Sequence, residues 1–546
     1  MQALKDHSCI DWATPLLLAA TVFAGCFVRF YSLRDVYEEY DDVGVIALYK
    51  SQATREAKTY PILRTSALAL NVTTDAGIMK KLLDTPFFAA YIAYGWTYPP
   101  GQYFFFPFLI NERHNYHEKL VRGRAFSAAV SCVGLFLVAY LLYLLAGRRV
   151  TPALLLPVGL QAFSFNSVLY AHHMSPYSMV VASLVLELIL FYAALKERIP
   201  VLLFFCVLGV LSYFNYLTLL ALPVFVLLLG LRYGICSRQM FRKGETYKIL
   251  AGIVLYFLIF LPCLVLFLKP GRGMQGDLPP TLEAGFPTFL WYFLKQFFLA
   301  ASSTLASFSQ LRWVNVGFAG LVVLGGLIIW IRQRKALSTG EKYLCAFAFI
   351  FLLEWVVLHA RQRIVMAESR HVLIWLPLLC LLFFVWLSHV RFAGGAAVLR
   401  CLAALLIILG TYQNITLLRS KAGRFDFDAL STSPIDTIVT YEGTLAPLAY
   451  FEGKKRVFLD ASGTFQESYE KLGLPEKVLL VSQDIPLSAY RRSEMYRRNI
   501  RFFNDYNVKV LTERPSGIYF PFNNSKLSSS QNGFYLYELT KKRTGR

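Results

Sequence analysis

Four carboxylates fall within five residues at Glu38-Glu39-Tyr40-Asp41-Asp42, shortly after the first long apolar run of the sequence. Neighbouring carboxylates repel, so at least one of them favours a proton or a cation, a condition that suits a general base or a metal ligand. Asp41 and Asp42 are the candidates for that work. The plainer alternative is a solvated helix N-terminus, where the dipole favours negative charge. A second group lies far along the chain, at Arg361-Gln362-Arg363 and Arg370-His371. Guanidinium binds phosphate through paired hydrogen bonds, so Arg361, Arg363 and Arg370 suit an anionic ligand. Lipid headgroups, or ion pairing with Glu368 and the acidic cluster, would account for them equally.

Three further stretches stand out. Tyr98-Pro99-Pro100-Gly101-Gln102-Tyr103 breaks any helix and leads through Glu118-Lys119-Leu120-Val121-Arg122-Gly123-Arg124 into an apolar run; a re-entrant membrane anchor explains it without chemistry. His172-His173-Met174-Ser175-Pro176-Tyr177 joins two apolar runs. Adjacent histidines cannot share one helical face, so a metal held by that pair alone is a weak reading, and a helix start at Ser175-Pro176 explains the turn. Lys80 and Lys81 sit on an amphipathic stretch whose default is a solvated face.

The elements that must position these residues are membrane spans. The chain has 546 residues, of which 56% are hydrophobic and 16% charged, and its mean hydropathy is +0.48. That excludes disordered, collagen-like and small disulfide-rich classes. Crossing a bilayer takes about 17–25 mostly apolar residues. Such runs occur near 13–31, 125–146, 152–171, 177–195, 199–214, 217–232, 248–268, 313–331, 342–359, 372–388 and 394–412. Of these, 199–232 is the least regular, because Phe214-Asn215-Tyr216 interrupts two short runs. The first run reads as a retained anchor.

Lys and Arg mark every second short loop: Arg148-Arg149, Lys196 with Arg198, Arg232 to Lys248, Arg332 to Lys335, and Arg391. By the positive-inside tendency those loops are cytoplasmic. The first loop (32–124), the turn at 172–176, the segment 269–312, the loop 360–371 and the tail from about 415 are then outside. Amphipathic stretches at 76–94 and 286–313 suit interfacial helices. The tail alternates strand-like runs at 435–440, 456–459, 477–482, 508–512 and 534–539 with helical patterns at 444–452, 464–472 and 488–500. The expected architecture is a polytopic α-helical membrane domain (1–414, about eleven spans) followed by an extracytoplasmic α/β domain (415–546). All nine cysteines lie in or beside apolar runs, with no metal-ligand spacing. The net charge of +21 is largely topological, which removes the reason to suspect nucleic acid.

In order along the chain, these features resemble the GT-C superfamily of membrane glycosyltransferases, most of all protein O-mannosyltransferases and lipid A aminoarabinose or galacturonic acid transferases. Asp41-Asp42 stands where the family has its acidic pair after the first span. Tyr98-Pro99-Pro100-Gly101-Gln102-Tyr103, with Glu118 through Arg122 and Arg124, matches a Pro-Pro segment followed by Glu and Arg. His172 to Tyr177 echoes a later turn, and Arg370-His371 a cation opening a late span. Three positions depart from the pattern: Asp42 replaces the usual Glu, Ser175 sits where Arg is common, and Tyr98 stands for His.

The resemblance implies a polyprenyl-phosphate-linked sugar donor and a lipid, glycan or protein acceptor. It also implies an active site at the extracytoplasmic side of an inner (plasma) membrane, and inversion at the anomeric carbon. Asp41 would be the base, supported by Asp42. Arg361, Arg363 and Arg370, with Lys80 and Lys81, would hold the donor phosphate. Tyr98, Pro99, Pro100, Glu118, Arg122, His172, His173, Tyr177 and His371 would line the cavity. No cofactor is called for, although a divalent cation on Asp41 and Asp42 stays open. Membrane lipids are expected partners, and the chain is expected to be a monomer. The rival readings are a transporter or flippase of lipid-linked saccharide and a non-catalytic scaffold. Transporters place ionisable groups at mid-membrane and show repeated halves; here the notable charges lie at the outer rim, with Glu187 and Glu354 as the main exceptions.

Overall fold

The computed structural model describes residues 12–34, 101, 105, 109–110, 114–174, 176–233, 243–267, 312–360, 373–390, 395–419, 427–441, 456–460, 475–482, 486–491, 503–515 and 533–542. Each of the apolar runs forms helix. The order is α1 (Ala13–Phe30), α2 (Tyr116–Leu145), a 3-10 turn (Pro152–Leu154), α3 (Leu155–Phe163), α4 (Phe165–Ala171), α5 (Tyr177–Leu195), α6 (Val201–Leu211) and α7 (Leu217–Arg232). It continues with α8 (Lys243–Phe267), α9 (Arg312–Arg332), α10 (Thr339–Ala360), α11 (Trp375–His389) and α12 (Gly395–Arg419). Among the described residues four helices are long and apolar enough to cross a membrane alone, or five with α3 and α4 taken as one bent span. The amphipathic stretches 76–94 and 286–313 lie outside the described residues.

The bundle has an apolar core and, unlike a water-soluble protein, also an apolar outer surface. Phe23, Leu258 and Ile408 are 76%, 62% and 65% exposed, while Arg29, Arg124, His172 and Glu187 are 0% exposed. Apolar side chains turned outward suit lipid, and polar ones turned inward need partners within the bundle. Helix α1 packs on α2, α3 and α12; α2 packs on α5, α6 on α8, and α9 on α11. At the first crossing a Cβ on Gly25 would lie 2.8 Å from the Ala162 Cβ and 2.9 Å from Leu135. Only glycine allows that approach of α1 to its neighbours.

The run expected as one continuous span at 152–171 is broken. Its two helices bend by 49° at Ser164, whose backbone is extended (φ −55°, ψ 119°). A break inside a bundle frees carbonyls that no water reaches. Arg29 supplies the donors: Nη2 bonds the Gln161 carbonyl at 2.9 Å and Nη1 bonds the Ala162 carbonyl at 2.7 Å. The next carbonyl, of Phe163, takes Asn414 Nδ2 at 3.1 Å. Arg29 completes its set on the Gly25 carbonyl, Ser131 Oγ and Ser167 Oγ. A guanidinium on a helix C-terminus also suits the dipole. Asn414 falls in a glycosylation sequon, yet it is buried and engaged in this cap.

After a short helix α13 (Phe427–Thr432), the tail forms a five-stranded sheet from β1 (Thr437–Tyr441), β2 (Arg456–Asp460), β3 (Lys477–Ser482), β4 (Tyr506–Pro515) and β5 (Gly533–Lys541), with α14 (Leu487–Tyr490) between β3 and β4. The order is β2-β1-β3-β5-β4. β1 pairs parallel with β2 and β3, in register Ile438 to Leu479 on the β3 side, while β5 runs antiparallel to β3 and β4. Val478-Leu479-Leu480-Val481 is a continuous apolar run because β3 is central and buried. Edge strand β4 carries Lys509, Glu513 and Arg514 and a register shift between Val510 and Thr512, features that protect an open edge. The tail helices expected at 444–452 and 464–472 lie outside the described residues.

Candidate active site

The chain that leaves α1 is gripped before it reaches the acidic cluster. The His172 Nε2 lies 2.9 Å from the Tyr31 carbonyl, and Arg124 Nη1 donates to the Leu33 carbonyl at 2.8 Å. From α12, Arg419 donates to the Tyr31 hydroxyl and stacks 5.6 Å from its ring centroid. Between them Ser32 adopts a left-handed φ of 60°, a conformation that non-glycine residues hold only when the surroundings enforce it. Three elements distant in sequence thus fix the backbone at Tyr31–Leu33, which precedes Asp41 by eight residues in the sequence.

Helix α2 begins with a capping box. Asn115 Oδ1 accepts the Glu118 amide at 2.9 Å, and the Glu118 carboxylate accepts the Asn115 amide at 3.0 Å. Glu118 and Arg122 are i and i+4 on the exposed side of α2. The inward side of the same two turns carries Lys119 and Arg124, 1% and 0% exposed. The two turns thus present Glu118 and Arg122 on one side of α2 and Lys119 and Arg124 on the other. Together with Arg29, three cations are buried where α1 ends and α2 begins. Arg29 and Lys119 were not singled out in the sequence, although Arg29 is the lone charge in an 18-residue apolar helix, which is itself a signal of an engaged group.

His172 and His173 are both fully buried in the turn between α4 and α5. The Nδ1 of His172 lies 2.7 Å from the Val168 carbonyl and its Nε2 faces Tyr31. Both ring nitrogens face carbonyl oxygens, and the neutral ring donates its single N–H to one of them, so neither nitrogen is turned toward a metal site. Burial pushes its pKa down to about 4, with the Arg124 charge acting in the same direction against the two carbonyl contacts. Tyr170 packs edge-on against His173 at 5.9 Å and Tyr177 at 5.5 Å, so His173 and Tyr177 belong to one aromatic cluster.

Of the Tyr98–Gly101 segment, Gly101 is described. Its amide donates to the Tyr213 carbonyl at 2.7 Å. Asp41, Asp42, Lys80, Lys81, Tyr98, Pro99, Pro100, Arg361, Arg363, Arg370 and His371 lie outside the described residues. Among the described residues no group of three or more His, Cys, Asp or Glu is placed to hold a metal.

No family model matches the sequence, and no curated protein is similar to it. Solved structures do resemble it. The crystal structure of ArnT from Cupriavidus metallidurans bound to undecaprenyl phosphate superposes with a TM-score of 0.48 and 10% identity, over 96% of this chain and 97% of that one. The same protein in its apo state gives 0.45 and 12%, over the same shares.

Proposed function

We propose that this chain is an integral-membrane glycosyltransferase of GT-C type that moves a sugar from a polyprenyl-phosphate carrier to an envelope lipid, glycan or protein acceptor on the extracytoplasmic side. The observation that supports it most is the grip on Tyr31–Leu33. Residues from two of the motif regions, Arg124 and His172, close on the stretch that leads to Asp41-Asp42. A scaffold presenting the tail would need no acidic pair.

In the proposed step the Asp41 carboxylate takes the proton of an acceptor hydroxyl, with Asp42 beside it. The acceptor oxygen bonds to the anomeric carbon from the side opposite the phosphate. The carbon–oxygen bond to phosphate breaks, and polyprenyl phosphate leaves with the electron pair, its charge met by Arg361, Arg363 and Arg370. Phosphate is a good leaving group, so no general acid is required. For a phosphate acceptor, already ionised, Asp41 orients instead of deprotonating. A divalent cation on Asp41 and Asp42 is a second use of the same carboxylates.

The test is transfer of radiolabelled sugar from a purified polyprenyl-phosphate donor to a membrane lipid extract. Asp41→Asn should lower transfer by about a hundredfold or more, the usual range for a general base. Native-level transfer by that variant would remove Asp41 from the chemistry. Loss of transfer on chelation, restored by added cation, would assign the metal role. Arg370→Ala should raise the donor concentration needed for saturation without unfolding the protein.

A further inference from the structure

Glu187 is a fully buried carboxyl that the proposed transfer step does not use. It lies on α5, ten residues from Tyr177 and so about 15 Å along the helix. An ionisable group at such depth is costly unless its contacts repay it. Its Oε1 accepts from Thr218 Oγ1 at 2.5 Å and from Asn215 Nδ2 at 3.4 Å. Its Oε2 has no hydrogen-bond partner among the described residues. Both partners flank the break between α6 and α7.

That break is fastened on more than one side. Asn215 Oδ1 accepts the Leu217 amide at 3.0 Å and starts α7. Ser212 Oγ pairs with the Tyr256 hydroxyl at 2.9 Å, and the Tyr213 hydroxyl donates to the Ile259 carbonyl at 3.0 Å, both on α8. Glu187 is the tie to α5. On the same tip, Gly101 donates its amide to the Tyr213 carbonyl, and a Cβ there would fall 2.1 Å from the Phe214 ring. Pro99-Pro100 immediately precedes this glycine.

We propose that Glu187 is a positioning residue: its hydrogen bonds to Thr218 and Asn215 set the α6–α7 tip, and the tip seats Gly101, the next residue in sequence after the Pro99-Pro100 assigned above to the donor cavity. The consequence for donor use rests on the function proposed above, whereas the mechanical link from Glu187 to Gly101 stands apart from it. A neutral amide can keep both hydrogen bonds at this position, and an alkyl side chain of similar size keeps neither.

Two readouts on the full-length protein in lipid test this. Hydrogen exchange resolved at the Gly101 amide should be slow in the native protein and in Glu187→Gln, and faster by about tenfold or more in Glu187→Leu, with the α5 amides unchanged. In the transfer assay Glu187→Leu should raise the donor KM about tenfold with kcat within about a factor of two, and Glu187→Gln should stay near native. Native protection of Gly101 in Glu187→Leu overturns the proposal, as does a Gln variant that fails as fully as the Leu variant. If Glu187→Leu does not fold, Thr218→Val removes the 2.5 Å bond and is read the same way. Absence of transfer by the native chain would end the transferase reading and leave the exchange result to decide the link.

Discussion

Arg29 and His172 show how much a single buried polar side chain does in this bundle. Arg29 distributes its guanidinium over three carbonyls and two hydroxyls on α1, α2, α3 and α4. Lysine brings the same charge with three donors and no planar fork. Arg29→Lys should therefore cost about 2–4 kcal/mol, as buried acceptors lose their partners, and thermal unfolding in detergent will show it as a lowered Tm. His172 makes the structure acid-sensitive. Its folded pKa, about 4, lies below the ordinary value of 6.5, so as pH falls the unfolded chain takes the proton first. Stability from this residue is complete above about pH 6.5 and is lost between there and about pH 4, roughly 3 kcal/mol in all. His172→Gln should flatten that part of the stability–pH curve, and an unchanged curve would clear His172 of the effect.

At the scale of elements, broken helices rather than straight ones organise the molecule. The α3–α4 bend supplies the carbonyls that Arg29 and Asn414 cap, and the α6–α7 tip receives Gly101. The Gly101 seat has no room for a methyl group because the Cδ1 and Cγ atoms of Phe214 would lie 2.1 and 2.7 Å away. These atoms are close to the root of the side chain and cannot swing clear. Gly101→Ala should thus loosen the segment, seen as faster proteolysis between α1 and α2, and Phe214→Leu in the same chain should restore part of the protection. In the tail, the Tyr537 hydroxyl donates to Glu513 Oε1 at 2.6 Å and accepts the Leu487 amide at 2.8 Å. Burial and the Glu513 carboxylate push its phenol pKa up. Tyr537→Phe strands the buried Leu487 amide and should cost about 1–3 kcal/mol in tail stability, measurable as an earlier denaturant midpoint for sheet unfolding.

For the whole molecule, the net charge of +21 divides among basic loops between the helices, basic clusters in the tail such as Lys454-Lys455-Arg456 and Lys541-Lys542-Arg543, and a smaller set buried in the bundle. The orientation proposed from the basic loops has a direct check. A cysteine at Ser338, in the loop between α9 and α10, should react with membrane-impermeant maleimide only from the cytoplasmic side. One at Lys509, on the edge strand of the tail sheet, should react only from the other. Labelling of both from one side would overturn the topology and with it the placement of Asp41 outside.

Hydropathy runs were enough to place the helices of the bundle, the α3–α4 break apart, and the strand segments of the tail, because exclusion of backbone from lipid and alternation in a sheet are local constraints. The chemistry proposed for Asp41-Asp42 and the late arginines rests on residue type alone. Sequence did not show that α3 and α4 separate at Ser164, where no proline or glycine stands, since the bend depends on Arg29 arriving from another helix. Nor could it tell that Lys119 and Arg124 turn inward while Glu118 and Arg122 turn out, because one helix face is buried only once its neighbours are placed. The same holds for the union of His172, Arg124 and Arg419 on Tyr31–Leu33 and for the link from Glu187 to Gly101. Local propensity decides where a helix runs; which of its polar groups find partners across the bundle is decided by packing among separate segments, from 28 to 388 residues apart.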